Sequence, residues 1–157
     1  MVSILTKLNM RLAWFSFFKV PLIFSCCPRI VSFDDNRIEL KIPLRRRTKN
    51  HLNSMYFGAL SVGADVTGGF FAMQLIEQSG HKVHLSFKHF HADFLKRAEG
   101  DTHFVCLDGP DIQALVTEVL TEKVRKTRDI TVMAYVPTKL GDEPVAKFTL
   151  GLSLKGL

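Results

Sequence analysis

The order of apolar patterns along this chain predicts an α+β fold, in which one antiparallel sheet wraps around a single long central helix and a further helix is added at the N-terminus. Three observations carry that expectation. From Met55 to Ile76 apolar residues line a run far too long for a strand. Short alternating segments stand on both sides of it, two before and four after. The 157 residues supply one core and leave little for a second. A ferredoxin-like sandwich is the architectural alternative, but it expects two comparable helices where this chain has one dominant helix.

The elements follow in order. Residues 1–27 are rich in Leu, Ile and Phe, with Lys7, Arg11 and Lys19 interrupting the apolar stretch and no small-x-small cleavage pattern. Ile4, Leu5, Leu8, Leu12, Phe15 and Phe18 recur at three- and four-residue intervals, so an amphipathic helix docked on the domain is expected, ended or redirected at Pro21. Association with a membrane surface is the alternative use of that helix. No segment is read as long enough to span a bilayer.

Residues 29–157 form the core. Two strands flank the turn Asp34-Asp35-Asn36, the second alternating Ile38, Leu40 and Ile42 with Glu39, Lys41 and Pro43. A basic loop follows, and then the long helix. Gly58, Gly63, Gly68 and Gly69 punctuate that helix, each costing up to ~1 kcal/mol relative to alanine. Such a cost implies close packing against a neighbouring element. Strands are expected at 82–95, 102–107, 128–137 and 144–154, with a short helix over 110–121.

A hydrophobic fraction of 46% excludes a disordered chain. Thirteen Phe against one Trp and two Tyr suit a core that needs few buried polar partners. Net charge +6 and a pI of about 9.4 favour anionic partners. Cys26, Cys27 and Cys106 make no paired framework, which fits a reducing, cytoplasmic compartment.

The most informative stretch runs from Asn50 to Asp65. It resembles the hotdog-fold thioesterases of the phenylacetyl-CoA thioesterase type and a less characterised group related to them. Their pattern is Asn-x-x-Gly-x-x-His-Gly-Gly, with Asp or Glu seven residues after the last glycine. Asn50, Gly58 and Asp65 occupy the Asn, last Gly and carboxylate positions, while Asn53 stands for Gly, Tyr56 for His and Phe57 for the first Gly of the pair. A second echo, Phe94-Leu95-Lys96-Arg97-Ala98-Glu99-Gly100-Asp101, is similar to the family's Phe-Leu-Arg-Pro-Ala…Gly-Asp strand ending, one residue shorter and without proline. The resemblance covers residues 29–157. It implies the hotdog fold, acyl-CoA thioester hydrolysis without a cofactor or metal, and a homodimer or dimer of dimers.

The chemistry can also be argued from the residues. Thioester hydrolysis needs donors for the carbonyl oxygen and a carboxylate that attacks or activates water. The amides of Phe57 and Gly58 at the helix N-terminus suit the first role, and Asp65 suits the second. Eight residues of helix span about 12 Å, so one carbonyl cannot meet both from the same chain. An antiparallel partner helix would bring its own Asp65 to the first helix's N-terminus.

Alternatives stand beside each role. Asp65 could be structural, bonded to a neighbouring strand or to Thr67. Asn50 either orients water or belongs to the capping of the helix, with Asn53 and Ser54 competing for the cap. Tyr56 either binds substrate or packs. Arg45, Arg46 and Arg47 suit the phosphates of coenzyme A or form a solvated loop, and the same holds for Lys123, Arg125, Lys126 and Arg128. His89, His91 and Asp93 alternate on one strand, but no supporting ligand stands at a metal-site spacing. A nucleophile elbow, a dinucleotide fingerprint and a P-loop are absent from the sequence.

Two functions compete on these grounds. One is an acyl-CoA thioesterase using Asp65 and Asn50 with Tyr56, Phe57 and Gly58 at the substrate. The other is a non-catalytic binder of acyl or other apolar ligands, favoured by the bulk of Phe57. Nucleic-acid binding is the weakest reading.

Overall fold

The computed structural model describes residues 1–157. Helices α1 (Ile4–Lys19) and α2 (Pro21–Ser25) precede strands β1 (Arg29–Phe33) and β2 (Ile38–Ile42). The long helix α3 (Phe57–Gln78) leads to β3 (Val83–Phe94) and β4 (Thr102–Cys106). Helix α4 (Gly109–Glu122), β5 (Lys126–Tyr135), the short α5 (Pro137–Leu140) and β6 (Pro144–Gly156) complete the chain. The six strands form one sheet in the order β1-β2-β4-β5-β6-β3, antiparallel throughout. The sheet wraps α3, which touches β2, β3, β4, β5 and β6, in the hotdog arrangement.

Alternation decides which side chains meet α3. Ile38, Leu40 and Ile42 of β2 and Phe104 and Cys106 of β4 point inward and are fully buried. From α3 itself Ala64, Phe71 and Ala72 are wholly enclosed. Burying a side chain the size of Phe71 is worth about 1.5–3 kcal/mol. The helical glycines do the work expected of them at two points. A Cβ on Gly63 would enter the ring of Phe104, and one on Gly68 would stand 2.9 Å from Ile130 Cδ1. Gly58 differs, because its neighbour is the ring of Tyr56, two residues back in the chain.

Several boundaries differ from the sequence expectation. The long helix begins at Phe57, not Met55, because Met55 is held in a bridge to Lys49 and its N–H donates to the Ala98 carbonyl at 2.8 Å. α5 was not foreseen, since four residues are too few to show a period. α3 also corrects the reading that no segment could span a bilayer. It has 22 residues and is apolar enough, but 72% of its apolar window is buried inside the domain, as befits a core helix.

The N-terminal segment departs from the expected amphipathic pattern. α1 breaks before Pro21, as anticipated, and buries Leu8, Leu12 and Ser16. Ile4 and Phe18, placed on the buried face by spacing, are exposed. The helix is apolar on both sides, so three- and four-residue intervals could be drawn through either. Asn9 fastens it to the sheet: its side chain donates to the Ile30 carbonyl at 3.0 Å and accepts from the Ile30 N–H at 2.8 Å. Arg11 pairs with Glu77 and donates to Gln74 of α3.

Candidate active site

The segment from Arg45 to Tyr56 is built by short-range hydrogen bonds. Buried Thr48 donates its hydroxyl to the Pro43 carbonyl (2.7 Å) and accepts the Arg45 N–H (2.9 Å), so the three arginines fan out from a fixed turn. Asn50 Oδ1 accepts from the Leu52 N–H (2.9 Å), the Ser54 N–H (3.2 Å) and the Ser54 hydroxyl (3.2 Å). The oxygen of Asn50 is thus committed to its own loop. Its amide nitrogen makes no hydrogen bond within the chain and is the group left for a ligand.

Asn53 has φ +60°, the left-handed region. A glycine is usual there in the resembled family, and asparagine is the residue that tolerates that conformation next best. The departure therefore preserves the backbone. Asn53→Val is expected to lose about 1–2 kcal/mol of stability, whereas Asn53→Gly should melt close to the parent; chemical denaturation compares them.

Tyr56, not Asn53 or Ser54, is the N-cap of α3, and no side chain caps the helix. The N–H groups of Phe57, Gly58 and Ala59 consequently have no partner within the chain, and Leu60 N–H is the first to bond back, to Tyr56 O at 3.0 Å. The positive end of the helix dipole lies here. A cavity of about 360 Å³ opens beside it, lined by Asn50, Ser54, Phe57, Leu60 and the segment from Phe94 to Ala98. The two sequence echoes are brought together at this point, joined by the Met55-to-Ala98 hydrogen bond. Asp101, at the end of the second echo, is structural. It accepts the Leu44 N–H at 2.8 Å and pairs with Lys41 at 3.2 Å, and the Leu44 bond leads in holding its carboxyl below the usual range.

Phe57 is 58% exposed at the cavity mouth and meets Phe94 at a centroid distance of 6.1 Å. Tyr56 and Gly58 do not line this cavity with side chains: the Tyr56 ring folds over Gly58 and meets the Phe57 ring at 4.8 Å in a tilted contact. Gly58 offers only its amide.

Asp65 lies apart, in a second cavity of about 270 Å³ lined by Leu12, Phe15, Val66, Phe70, Leu85 and Phe87 among others. Its carboxylate reaches solvent and accepts no hydrogen bond within the chain. Thr67, the partner considered for it, donates instead to the Gly63 carbonyl at 2.7 Å. The apolar walls desolvate Asp65 and push its carboxyl above the usual range. Gly58 and Asp65 are a heptad apart and so share one stripe of α3, with Ser61 and Val62 between them. The two cavities have no residue in common.

Arg45, Arg46 and Arg47 are exposed and line a third cavity of about 260 Å³ with Ser25, Cys26, Cys27 and Thr48. They have no acidic partner. Half of the later basic cluster does: Lys126 pairs with Glu118 and Glu122, and Arg128 with Glu118, whereas Arg125 donates to the Ser153 hydroxyl at 3.1 Å. Among the histidines, His89 turns to Asp129 (2.7 Å) and His91 to Asp93 (3.2 Å), next to a bulge between Phe87 and Phe90.

Sequence reasoning missed the contribution of α1 to the Asp65 cavity. Leu12 and Phe15 were legible as a face, but not what they would cover.

The fold recurs in solved structures. A Pseudomonas aeruginosa protein described as of unknown function and a probable thioesterase superposes with TM-score 0.78 at 20% identity, over 95% of this chain and 96% of its own. A Haemophilus influenzae thioesterase gives 0.71 at 13% identity, over 100% and 94%. A Chlorobaculum tepidum protein of unknown function gives 0.80 at 13%, over 98% and 97%. At such identities the likeness is one of fold. No curated protein matches the sequence. A family described as Domain of unknown function (DUF4442) matches residues 9–152. Spanning nearly the whole chain, that match shows that the protein belongs to the DUF4442 family.

Proposed function

We propose that the protein hydrolyses acyl-CoA thioesters at sites shared between two subunits, working without a cofactor as a homodimer or dimer of dimers. One observation carries the reading: the unpartnered amides at the start of α3 and the unpartnered Asp65 lie on the same stripe of one helix, about 10 Å apart at ~1.5 Å per residue. A two-fold axis that sets two such helices antiparallel places Asp65 of each subunit beside the Phe57 and Gly58 amides of the other. Asp65 then takes a proton from water, and the hydroxide adds to the thioester carbonyl carbon. The oxyanion accepts hydrogen bonds from the Phe57 and Gly58 N–H groups. Collapse breaks the C–S bond, and the protonated Asp65 returns its proton to the departing coenzyme A thiolate. Asn50, through its amide nitrogen, orients the water. A cytoplasmic setting fits the unpaired cysteines.

The test is thiol release from purified protein against short, medium, long and aromatic acyl-CoAs. Turnover of at least one class is the expected result. Silence across the panel, with acyl-CoA still bound, would instead fit the non-catalytic binder, whose supporting observation is the exposed ring of Phe57 at the cavity mouth.

Arg45, Arg46 and Arg47 are assigned to the phosphates of coenzyme A, because they are cationic, pre-positioned by Thr48 and free of acidic partners. Replacing all three by alanine is expected to raise KM about tenfold with kcat nearly unchanged, as for uniform binding. Steady-state kinetics with one acyl-CoA decides it.

A further inference from the structure

The N-terminal helices carry an uncovered apolar face that the proposed site does not use. α1 turns Leu8, Leu12 and Ser16 inward, while Met10, Trp14, Phe17 and Phe18 stand exposed on its outer side, Trp14 to 59%. Leu22 and Phe24 of α2 extend the patch past the break at Pro21. Ring contacts knit it together: Trp14–Phe18 at 5.4 Å, Phe17–Phe18 at 4.9 Å and Phe17–Phe24 at 5.1 Å between centroids. A helix apolar on both sides is ordinarily covered on both, and a contiguous exposed apolar patch marks an interaction surface.

Charge indicates what covers it. Residues 1–33 contain Lys7, Arg11, Lys19 and Arg29 and no acidic residue, the first being Asp34. Arg11 is taken by Glu77, whereas Lys7 and Lys19 are exposed and unpaired. Two copies of this face laid together would bring like charges into contact with nothing to offset them. An anionic bilayer supplies an apolar layer and negative headgroups in one surface, and Trp favours the depth between them.

We propose that α1 and α2 dock on an anionic lipid surface, with Trp14, Phe17, Phe18, Leu22 and Phe24 inserted at headgroup level and Lys7 and Lys19 against lipid phosphates. The inference is independent of thioester hydrolysis, since its test reads binding and not turnover.

Trp14 is the chain's single tryptophan and reports directly. The full chain is mixed with vesicles of phosphatidylcholine alone, or of equimolar phosphatidylcholine and phosphatidylserine, then floated on a density gradient while Trp14 emission is recorded. Flotation and a blue shift with the phosphatidylserine vesicles, lost in high salt, are expected. The double variants Phe17→Ser/Phe18→Ser and Lys7→Glu/Lys19→Glu change exposed side chains only, and each should weaken binding about tenfold or more. No flotation with the anionic vesicles overturns the proposal, as does flotation that neither variant weakens. A blue shift that grows with protein concentration in the absence of lipid also overturns it, because a second copy would then be the cover.

Discussion

Asp65→Asn is expected to lower thioester turnover by about two to four orders of magnitude while leaving the protein folded. The amide is isosteric, so the apolar cavity around it keeps its shape, and only the capacity to take a proton is removed. Stability should move the other way from activity. Burial raises the Asp65 carboxyl in the folded protein. Its contribution to stability is therefore present below the unfolded value of about 4 and lost as pH rises through the raised folded value. At neutral pH the ionised carboxylate is a liability, and Asn removes it. The variant should melt at or above the parent at pH 7, and the advantage should shrink as the pH approaches about 4. An Asp65→Asn protein that turns over normally would leave Asp65 with a structural role and sink the catalytic one.

The same residue tests whether sites are shared. Subunits carrying Asp65→Asn and subunits carrying Asn50→Ala are each expected to be impaired alone. Mixed and reassembled at random, half of the dimers are hybrids, each with one site built from the unaltered halves, so about a quarter of the parent activity should return. No recovery, from subunits shown to exchange, would mean that Asn50 and Asp65 act from the same chain.

The largest loss of stability is expected at Gly63. Its Cα lies against Phe104, which is fully buried on β4 and packs at 6.4 Å from Phe148. Gly63→Val drives a branched side chain into that ring, and a close-packed interior leaves little room for the ring to move away. The cost should be about 3 kcal/mol, or a fall in Tm of roughly 6–12 °C. In a Phe104→Leu background the same substitution should cost clearly less, because the smaller side chain vacates the space that valine needs. Thermal melts of the four proteins give the coupling, and additive costs would show that Gly63 is constrained by something other than Phe104.

Much of the architecture could be read from periodicity. Strands alternating Ile38, Leu40 and Ile42, or Thr102, Phe104 and Cys106, declare a half-buried sheet because the side-chain period of a strand is two. Glycines spaced through an apolar helix declare close packing, since nothing else repays their cost. The departures in the Asn50–Asp65 motif were readable as differences but not as consequences. That Asn53 keeps a left-handed backbone, and that Tyr56 folds over Gly58, are facts of φ and χ angles which no spacing encodes.

Sequence by itself determined the order of the strands and the longer helices, the single central helix and the residue types that could carry thioester chemistry. Those follow from local periodicity and from the chemical character of each side chain. Only the tertiary structure decided which of them lie together. It set Asn50 and Phe57 on one cavity with the Phe94–Ala98 segment, put Asp65 on another that α1 lines in part, and paired Lys126 and Arg128 with glutamates while leaving Arg45, Arg46 and Arg47 unpaired. It also turned Trp14, Phe17 and Phe18 outward. Such outcomes depend on how elements distant in the chain pack, and a helix with apolar residues on every side gives no local signal of which side the core will claim.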